Sequence, residues 1–347
     1  MTADHDGPDG PPAVLTYAFS YFAAQITHAA AELGVADQMG DGDVSADEVA
    51  AGCGTDPGAT LRLLRAMTSL RLVEQTAPDR FVLTGDGALL RTDSPHSVRN
   101  LVRLFCGSPT WRSWGELAWS VRTGRTAWDE VFGTDAFAYL AAHPEQNQVF
   151  NAAMHEGTLR AAPGIAAVLD LSASGSVVDI GGGSGALLSV LLTGNPQLSG
   201  VLFDSPAGVE GAEEMLHATG VDDRCRVEPG DFFAAVPRGS DAYVLKSVIH
   251  DWDDRRGGEI LRRCHEAMSP AAHLYVIEPV VPEVLDAATP EAEIALFDLN
   301  MLVCTGGRER TLPEFRALLG DAGFHLADVT ACAPAIGYSV LHAVPAG

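Results

Sequence analysis

Basic charge is what this sequence has least of. Its 347 residues carry 22 arginine or lysine side chains against 46 acids, a net charge of −24. A single lysine, Lys246, stands among the arginines. So acidic a chain repels polyanions, which argues against nucleic acid as a partner. Long apolar runs are also missing. Hydrophobic residues make up 47%, yet no run approaches the roughly eighteen that a membrane helix needs, so a soluble, globular protein with no membrane partner is expected. The six cysteines, Cys53, Cys106, Cys225, Cys264, Cys304 and Cys332, form no C-x-x-C pair and no Cys/His cluster. That scatter predicts reduced thiols in a cytoplasmic protein with no metal site of the zinc type. Residues 1–12 are acidic and rich in Pro and Gly, without the basic start and apolar centre of a signal peptide, and read as a disordered tail.

Glycine, by contrast, is concentrated at one point. Val177-Val178-Asp179-Ile180 leads into Gly181-Gly182-Gly183-Ser184-Gly185 and then Ala186-Leu187-Leu188, which predicts a buried strand, a tight turn and a helix. The free N–H groups of such a helix start can face a ligand. Gly181-x-Gly183-x-x-Ala186 fits the relaxed dinucleotide fingerprint. Asp179 adds the spacing D-x-G-x-G-x-G, and an acid there suits the cationic amino-acid tail of S-adenosylmethionine better than a pyrophosphate. A purely structural turn stays open as a third reading.

Ahead of this corner lies a helical half. Val14–Met39 is alanine-rich, with an apolar stripe through Leu15, Phe19, Phe22, Ile26, Ala29, Ala30 and Leu33 that needs an apolar partner, and the turn at Gly34 stops it. Ser45-Ala46-Asp47-Glu48 is a capping box, and Asp56-Pro57 an N-cap followed by a first-turn proline. Two short strands, Leu72–Gln75 and Arg80–Thr84, complete a winged helix. Arg62, Arg65 and Arg71 lie on its second helix, but the acidic chain favours a packing role over DNA binding. Residues 100–168 read as helical, and the boundary between halves is placed at 165/166. Beyond it strands alternate with helices, predicting an α/β doubly wound, Rossmann-like sheet. The strands expected are Val177–Ile180, Gly200–Phe203, Cys225–Glu228, Ala242–Leu245 and Leu274–Ile277, each followed by a helix, with a closing edge hairpin at His325–Ala331 and Tyr338–Ala343. Thr311-Leu312-Pro313-Glu314 is a further capping box.

In such a sheet, ligands gather at the carboxyl ends of the strands. Asp204, after the second strand, can accept from two ribose hydroxyls, or can simply cap the helix before Pro206. Asp231 and Phe232, after the third, can accept from an adenine amino group and cover the base, or form a turn. The fourth ends in Lys246-Ser247-Val248-Ile249-His250-Asp251-Trp252-Asp253-Asp254, and the fifth in Glu278-Pro279. His250, Asp251, Asp253 and Asp254 could imitate a metal site, but carboxylates after a strand serve as helix caps more often. No metal is expected.

Six ordered segments carry a family resemblance: Val177–Gly183, Val201-Leu202-Phe203-Asp204, Gly230-Asp231-Phe232-Phe233, Leu245–Trp252, Ile277-Glu278-Pro279 and Gly307-Arg308-Glu309-Arg310-Thr311. From Ala13 to Val344 the chain resembles the S-adenosylmethionine-dependent O-methyltransferases of plant phenylpropanoid and bacterial aromatic-polyketide metabolism. The resemblance implies an N-terminal dimerisation domain and a homodimer with S-adenosylmethionine as cofactor. It implies that Gly181, Asp204, Asp231, Phe232 and Lys246 touch the cofactor, together with Gly183, Ser205 and Ser247. His250 would be the general base, steered by Glu278 and Glu309. Ser205 departs from the leucine usual before the proline, which bears on packing around the ribose or adenine.

The implied chemistry is in-line displacement at a sulfonium methyl by an oxygen nucleophile. A phenol with a pKa of about 10 is a poor nucleophile, and a histidine near about 6.5 can take its proton as the C–O bond forms. A small aromatic acceptor would lie between Phe150, Asn151, Met154 and His155 on one side and Phe297, Asn300 and Met301 on the other, with Trp111 and Trp252 adding aromatic surface. Arg160, Arg308 and Arg310 are the cations that a substrate carboxylate could meet. Three rivals stand beside this reading: a relative that uses the cofactor for a non-methylating reaction, a winged-helix regulator responding to a small molecule, and a nicotinamide dehydrogenase.

Overall fold

The computed structural model describes residues 12–333 and 337–346; the expected tail, Pro12 apart, lies outside them. The chain divides into two compact units, residues 1–108 and 109–347. This division falls well before the 165/166 boundary expected from sequence. The reason lies in the long helix Pro144–Ala166, whose Ala161, Ala162 and Ile165 share a core with Leu187, Leu188 and Leu191 next to the glycine turn.

In the first unit, Ala13–Glu32 is one helix that ends before the expected stop at Gly34, which in a left-handed conformation starts a separate short helix at Val35–Met39. Ser45 and Glu48 form the expected capping box, and Asp56 caps Pro57–Ser69 through the Ala59 N–H at 2.8 Å. The wing is a three-stranded antiparallel sheet, because Val44–Ser45 joins Arg80–Leu83 and Val73–Ala77. Ala30, Ala31, Val35, Met39, Val49, Leu64, Met67 and Phe81 fill its core. The first helix buries only its C-terminal end. Val14, Leu15, Tyr17, Phe19, Tyr21 and Phe22 remain 46–72% exposed, an apolar face that water does not favour.

The second unit is built on a seven-stranded sheet. Its strands are β1 Ser176–Ile180, β2 Ser199–Asp204, β3 Cys225–Pro229, β4 Ala242–Lys246, β5 His273–Glu278, β6 Phe324–Ala331 and β7 Ser339–Pro345, in the order β6-β7-β5-β4-β1-β2-β3. The first five run parallel, and β6 and β7 form the expected antiparallel hairpin, with β7 against β5 and β6 at the edge. Central strands bury both faces, which is why β4 and β5 read as near-continuous apolar runs, while β1 buries Asp179 among its apolar residues. One expected helix is absent. Between β3 and β4 the described chain makes a turn at Asp231–Ala234 followed by irregular backbone. The order reverses on either side of β1, so the ends of β1, β2 and β4 open on one crevice.

A second, two-residue pairing matters more for function. Arg310–Thr311 lies parallel to Val280–Val281, with Arg310 opposite Val280. It brings Glu278 and Glu309, 31 positions apart in sequence, to the same place.

Candidate active site

The glycine turn has the backbone its sequence requires. Gly183 sits at φ +55°, and a Cβ built there would meet nothing within 4 Å, so the turn presents bare main chain to open space. Behind it lies Asp179, only 2% exposed and against Gly182, with its Oδ2 making no hydrogen bond. Burial, reinforced by the neighbouring Asp204 charge and opposed by Lys246, pushes its carboxyl up to about 7. Asp204, at the end of β2, accepts from the Gly183 N–H at 2.9 Å and the Ser205 N–H at 2.6 Å, and burial raises its pKa as well. Ser205 itself accepts from the Gly208 N–H at 3.0 Å and shapes the turn after β2. Asp231 accepts from the Phe233 N–H at 2.8 Å, beside the half-buried Phe232 ring.

Lys246, the lone lysine, donates to Thr158 Oγ1 at 3.2 Å and lies 5.0 Å from the centre of the Tyr338 ring. Ser247 bonds the Tyr338 hydroxyl at 2.9 Å and holds a left-handed φ of +54°, which is costly for a side chain other than glycine or asparagine. That strain directs the chain from β4 into the one-turn helix Ile249–Asp251, where His250 stands.

Four titratable groups meet at that turn. His250 Nδ1 lies 2.8 Å from Glu309 Oε1 and 3.6 Å from Glu278 Oε2, while its Nε2 is 3.9 Å from Asp251 Oδ1. Glu278, fully buried, accepts through Oε1 from the N–H groups of Val248, Ile249 and His250 at 3.0, 2.8 and 3.3 Å. Its Oε2 and the Glu309 Oε2 are buried without a hydrogen bond. Glu309 is held in turn by Asp298, which accepts from its N–H at 2.9 Å. Burial alone would lower the His250 pKa, but the charges of Glu278, Glu309 and Asp251 outweigh it and hold the imidazole well above its ordinary value. Burial drives Glu278 up to about 7 and Asp251 up to about 6 despite the pull of His250. His250, Glu278 and Asp251 therefore hold their protons to higher pH than they would in water, which for the histidine is a correction to the value of about 6.5 expected from sequence.

His250, Glu278 and Glu309 also place one ligand atom each within 4.8 Å of one another, a spacing a cation could share; the 2.8 Å Nδ1–Oε1 approach is that of a hydrogen bond. The neighbouring carboxylates that resembled a metal motif are otherwise engaged. Asp253 caps the helix Asp254–Ala267 through the Arg256 N–H at 2.7 Å, and Asp254 accepts from Arg310 at 2.9 Å.

The expected acceptor residues divide. Trp252 belongs to a string of rings: Phe150 edge-on to Phe137 at 6.2 Å, Phe137 stacked on Trp252 at 5.3 Å, and Trp252 edge-on to Phe233 at 4.9 Å. Met154 is half-buried and Met301 buried. The polar members are already committed elsewhere. Asn151 donates to the Ala207 carbonyl at 2.8 Å, His155 pairs with Ser184 of the glycine turn at 2.9 Å, and Asn300 accepts from the Trp114 indole at 2.9 Å. Trp111 and Phe297 are 40% and 50% exposed, and among the described residues no hydrogen bond or ring contact ties either to this set. Arg310 has no exposed surface and Arg308 pairs with Glu314, so neither waits for a substrate carboxylate.

A family model described as an O-methyltransferase domain matches residues 114–325, and one described as an O-methyltransferase dimerisation domain matches residues 15–93. The chain belongs to this O-methyltransferase family. It is 43% identical over 334 residues to the O-demethylpuromycin-O-methyltransferase of Streptomyces alboniger, covering 96% of this chain and 88% of that one. The crystal structure of LaPhzM is similar at a TM-score of 0.92 and 38% identity, covering 96% of this chain and 98% of that chain. NcsB1, an O-methyltransferase of neocarzinostatin biosynthesis solved with S-adenosylmethionine and 2-hydroxy-5-methyl naphthoic acid, is similar at 0.81 and 32%, covering 99% and 100%. Among O-methyltransferases this chain thus keeps both domains, as the six motifs implied. Sequence reasoning missed Tyr338, Thr158 and Asp298, which hold Ser247, Lys246 and Glu309. Each is a common residue whose role comes from packing against a distant segment, so no local pattern marks it.

Proposed function

We propose that the protein methylates a hydroxyl of a small aromatic natural-product intermediate with S-adenosylmethionine, using His250 as general base, and that it works as a cytoplasmic homodimer. The observation that carries this reading is the 2.8 Å bond from His250 Nδ1 to Glu309, with Nε2 free of any hydrogen bond among the described residues. A neutral imidazole that donates Nδ1–H to Glu309 carries its lone pair on Nε2, and an acceptor hydroxyl there can lose its proton as its oxygen attacks.

The residues at the strand ends fit the cofactor. Bare glycine main chain at Gly183, a buried Asp179 oxygen without a partner, and Asp204 at the tip of β2 suit a ligand with a cationic tail and a ribose. Gly181, Gly183, Asp204, Asp231, Phe232, Lys246 and Ser247 would hold it. When bound, S-adenosylmethionine supplies the electrophilic methyl group on a sulfonium. The chain's residues do the rest. His250 takes the phenolic proton at Nε2, Glu309 and Glu278 stabilise the imidazolium that forms, and Glu278 fixes the turn through three N–H bonds. His250 acts only when neutral, so turnover rises with pH through its pKa. Positive charge bound nearby lowers that pKa toward the working range. As the proton leaves, the developing negative charge on the acceptor oxygen would cancel the sulfonium charge, the net positive charge ending on the His250 imidazolium beside its carboxylates. The aromatic wall of Phe137, Trp252 and Phe233 therefore favours transfer by excluding water. General-base assistance of this kind is worth roughly 10²–10⁴-fold.

The exposed aromatic face of the first helix and the dimerisation-domain match support the homodimer. Six free cysteines suit a reducing compartment, and the charge of −24 speaks against nucleic acid. Incubating phenolic acids, naphthoates and anthracyclinones with methyl-labelled cofactor, followed by mass spectrometry, tests the function. A labelled methyl ether on at least one supports it, while a decarboxylated or hydroxylated product without a labelled methyl points to the non-methylating rival.

A further inference from the structure

The fully buried Arg310 has no part in the chemistry described so far, although a guanidinium is expensive to take out of water. Its ionic partner, Asp254, is 62% exposed and returns little of that cost. What it does contact are backbone carbonyls on either side of His250. Nη1 donates to the Ile249 carbonyl at 3.1 Å and Nη2 to the Trp252 carbonyl at 2.8 Å, while Nε donates to Asp254 at 2.9 Å.

The same short segment grips the turn at two further points. The Arg308 N–H donates to the His250 carbonyl at 2.8 Å, and Gly307 passes so close that a Cβ would lie 2.0 Å from that oxygen. Glu309, between the two arginines, bonds the imidazole itself. On the other side, Glu278 takes the N–H groups of the turn. The backbone carrying His250 is therefore held by a carboxylate on its donors and by a guanidinium on its acceptors.

We propose that Arg310 is a positioning residue: its planar fork, spanning the Ile249 and Trp252 carbonyls, fixes the His250 turn against Glu309. The proposal rests on His250 being the base. An apolar side chain of similar volume can often replace a buried ion pair at little cost in stability, and Asp254 is exposed enough to be rehydrated. Methionine can fill the space of Arg310 but cannot hold two carbonyls. Lysine keeps the charge but not the two-pronged geometry.

R310M, R310K and H250A are to be compared with wild type as full-length proteins, by thermal melting, calorimetry with S-adenosylhomocysteine, and kcat, KM and the pH profile of kcat. R310M is expected to melt cooperatively and bind S-adenosylhomocysteine as wild type does, with acceptor KM little changed. Its kcat should fall roughly 100-fold, the cost of about 1 Å of misplacement at a reacting group. The acid limb of its pH profile should move to lower pH as the hold of Glu309 and Glu278 on the imidazole loosens, Asp251 being on the same turn. R310K should stay closer to R310M than to wild type. A folded R310M with wild-type kcat and an unmoved limb overturns the proposal, as does an R310K variant with full activity. If R310M does not fold, R310K, which keeps the charge but not the fork, decides in its place. A lowered kcat with unchanged cofactor binding supports the clamp, and an unchanged kcat refutes it. An active H250A would instead remove the base assignment itself, whereas a dead H250A beside a fully active R310M removes only the clamp.

Discussion

Asp179 offers a sharp test of how the cofactor end is built. Its carboxyl is buried behind the glycine turn, lacks a partner for Oδ2, and has a pKa of about 7 against an ordinary 3.8. A carboxyl whose pKa is higher folded than unfolded binds more protons in the native state between those values, so stability falls as pH rises through that window. The shift of 7 − 3.8 = 3.2 units corresponds to at most about 4 kcal/mol, at about 1.36 kcal/mol per unit. Asp179→Asn resembles the protonated form at every pH. In urea unfolding of the cofactor-free protein, followed by tryptophan fluorescence at fixed protein concentration, the variant should already be the more stable by about 1.6 kcal/mol at pH 5, where the unfolded carboxyl is ionised and the folded one is not, and the two proteins should converge only toward about pH 3. By pH 8 the variant should be the more stable by up to about 4 kcal/mol. The raised groups Glu278 and Asp251 contribute the same slope to both proteins, whereas Asp204, whose charge acts on Asp179, titrates with it, so the difference reads residue 179 together with that neighbour. The gain should come with a loss, since removing a charge-assisted contact to a cationic ligand costs about 1.5–3 kcal/mol, or roughly 10- to 100-fold in S-adenosylmethionine affinity. Parallel pH profiles for the two proteins, or unchanged cofactor affinity, would refute this account of Asp179.

Two further predictions concern the base and the dimer. Glu309→Gln removes a negative charge 2.8 Å from Nδ1, which lowers the His250 pKa, so the acid limb of kcat should shift to lower pH while kcat at its plateau drops by roughly 10-fold or more; a pH–rate profile measures both. Replacing Phe19 and Phe22 together with aspartate puts charge on the exposed face of the first helix, and light scattering should then report a monomer with its winged-helix core intact by circular dichroism.

Local physics made much of this legible in advance. Capping at Ser45, Asp56 and Thr311 depends on residues three positions away, and all three caps are present. The central strands were visible because both of their faces are buried, so β4 and β5 are near-continuous apolar runs. Long-range pairing left no such mark. Nothing in Val280-Val281 or Arg310-Thr311 announces that these dipeptides lie side by side, yet that contact unites Glu278 with Glu309. Nor does the sequence distinguish an arginine at the surface from the buried Arg310. The proton affinity of His250 was out of reach for the same reason, because three carboxylates from three segments set it. The division between units escaped because helices 109–166 look, by composition, like those before them, and their packing against the sheet decides where they belong.

The most direct test of the central claim is methyl transfer by His250→Ala, measured with an accepted phenol and saturating S-adenosylmethionine from pH 6 to 9, alongside calorimetric binding of S-adenosylhomocysteine. The account predicts cofactor binding equal to wild type, turnover lower by roughly 10²–10⁴-fold, and loss of the acid limb that His250 imposes. Turnover equal to wild type with the acid limb still in place would contradict it.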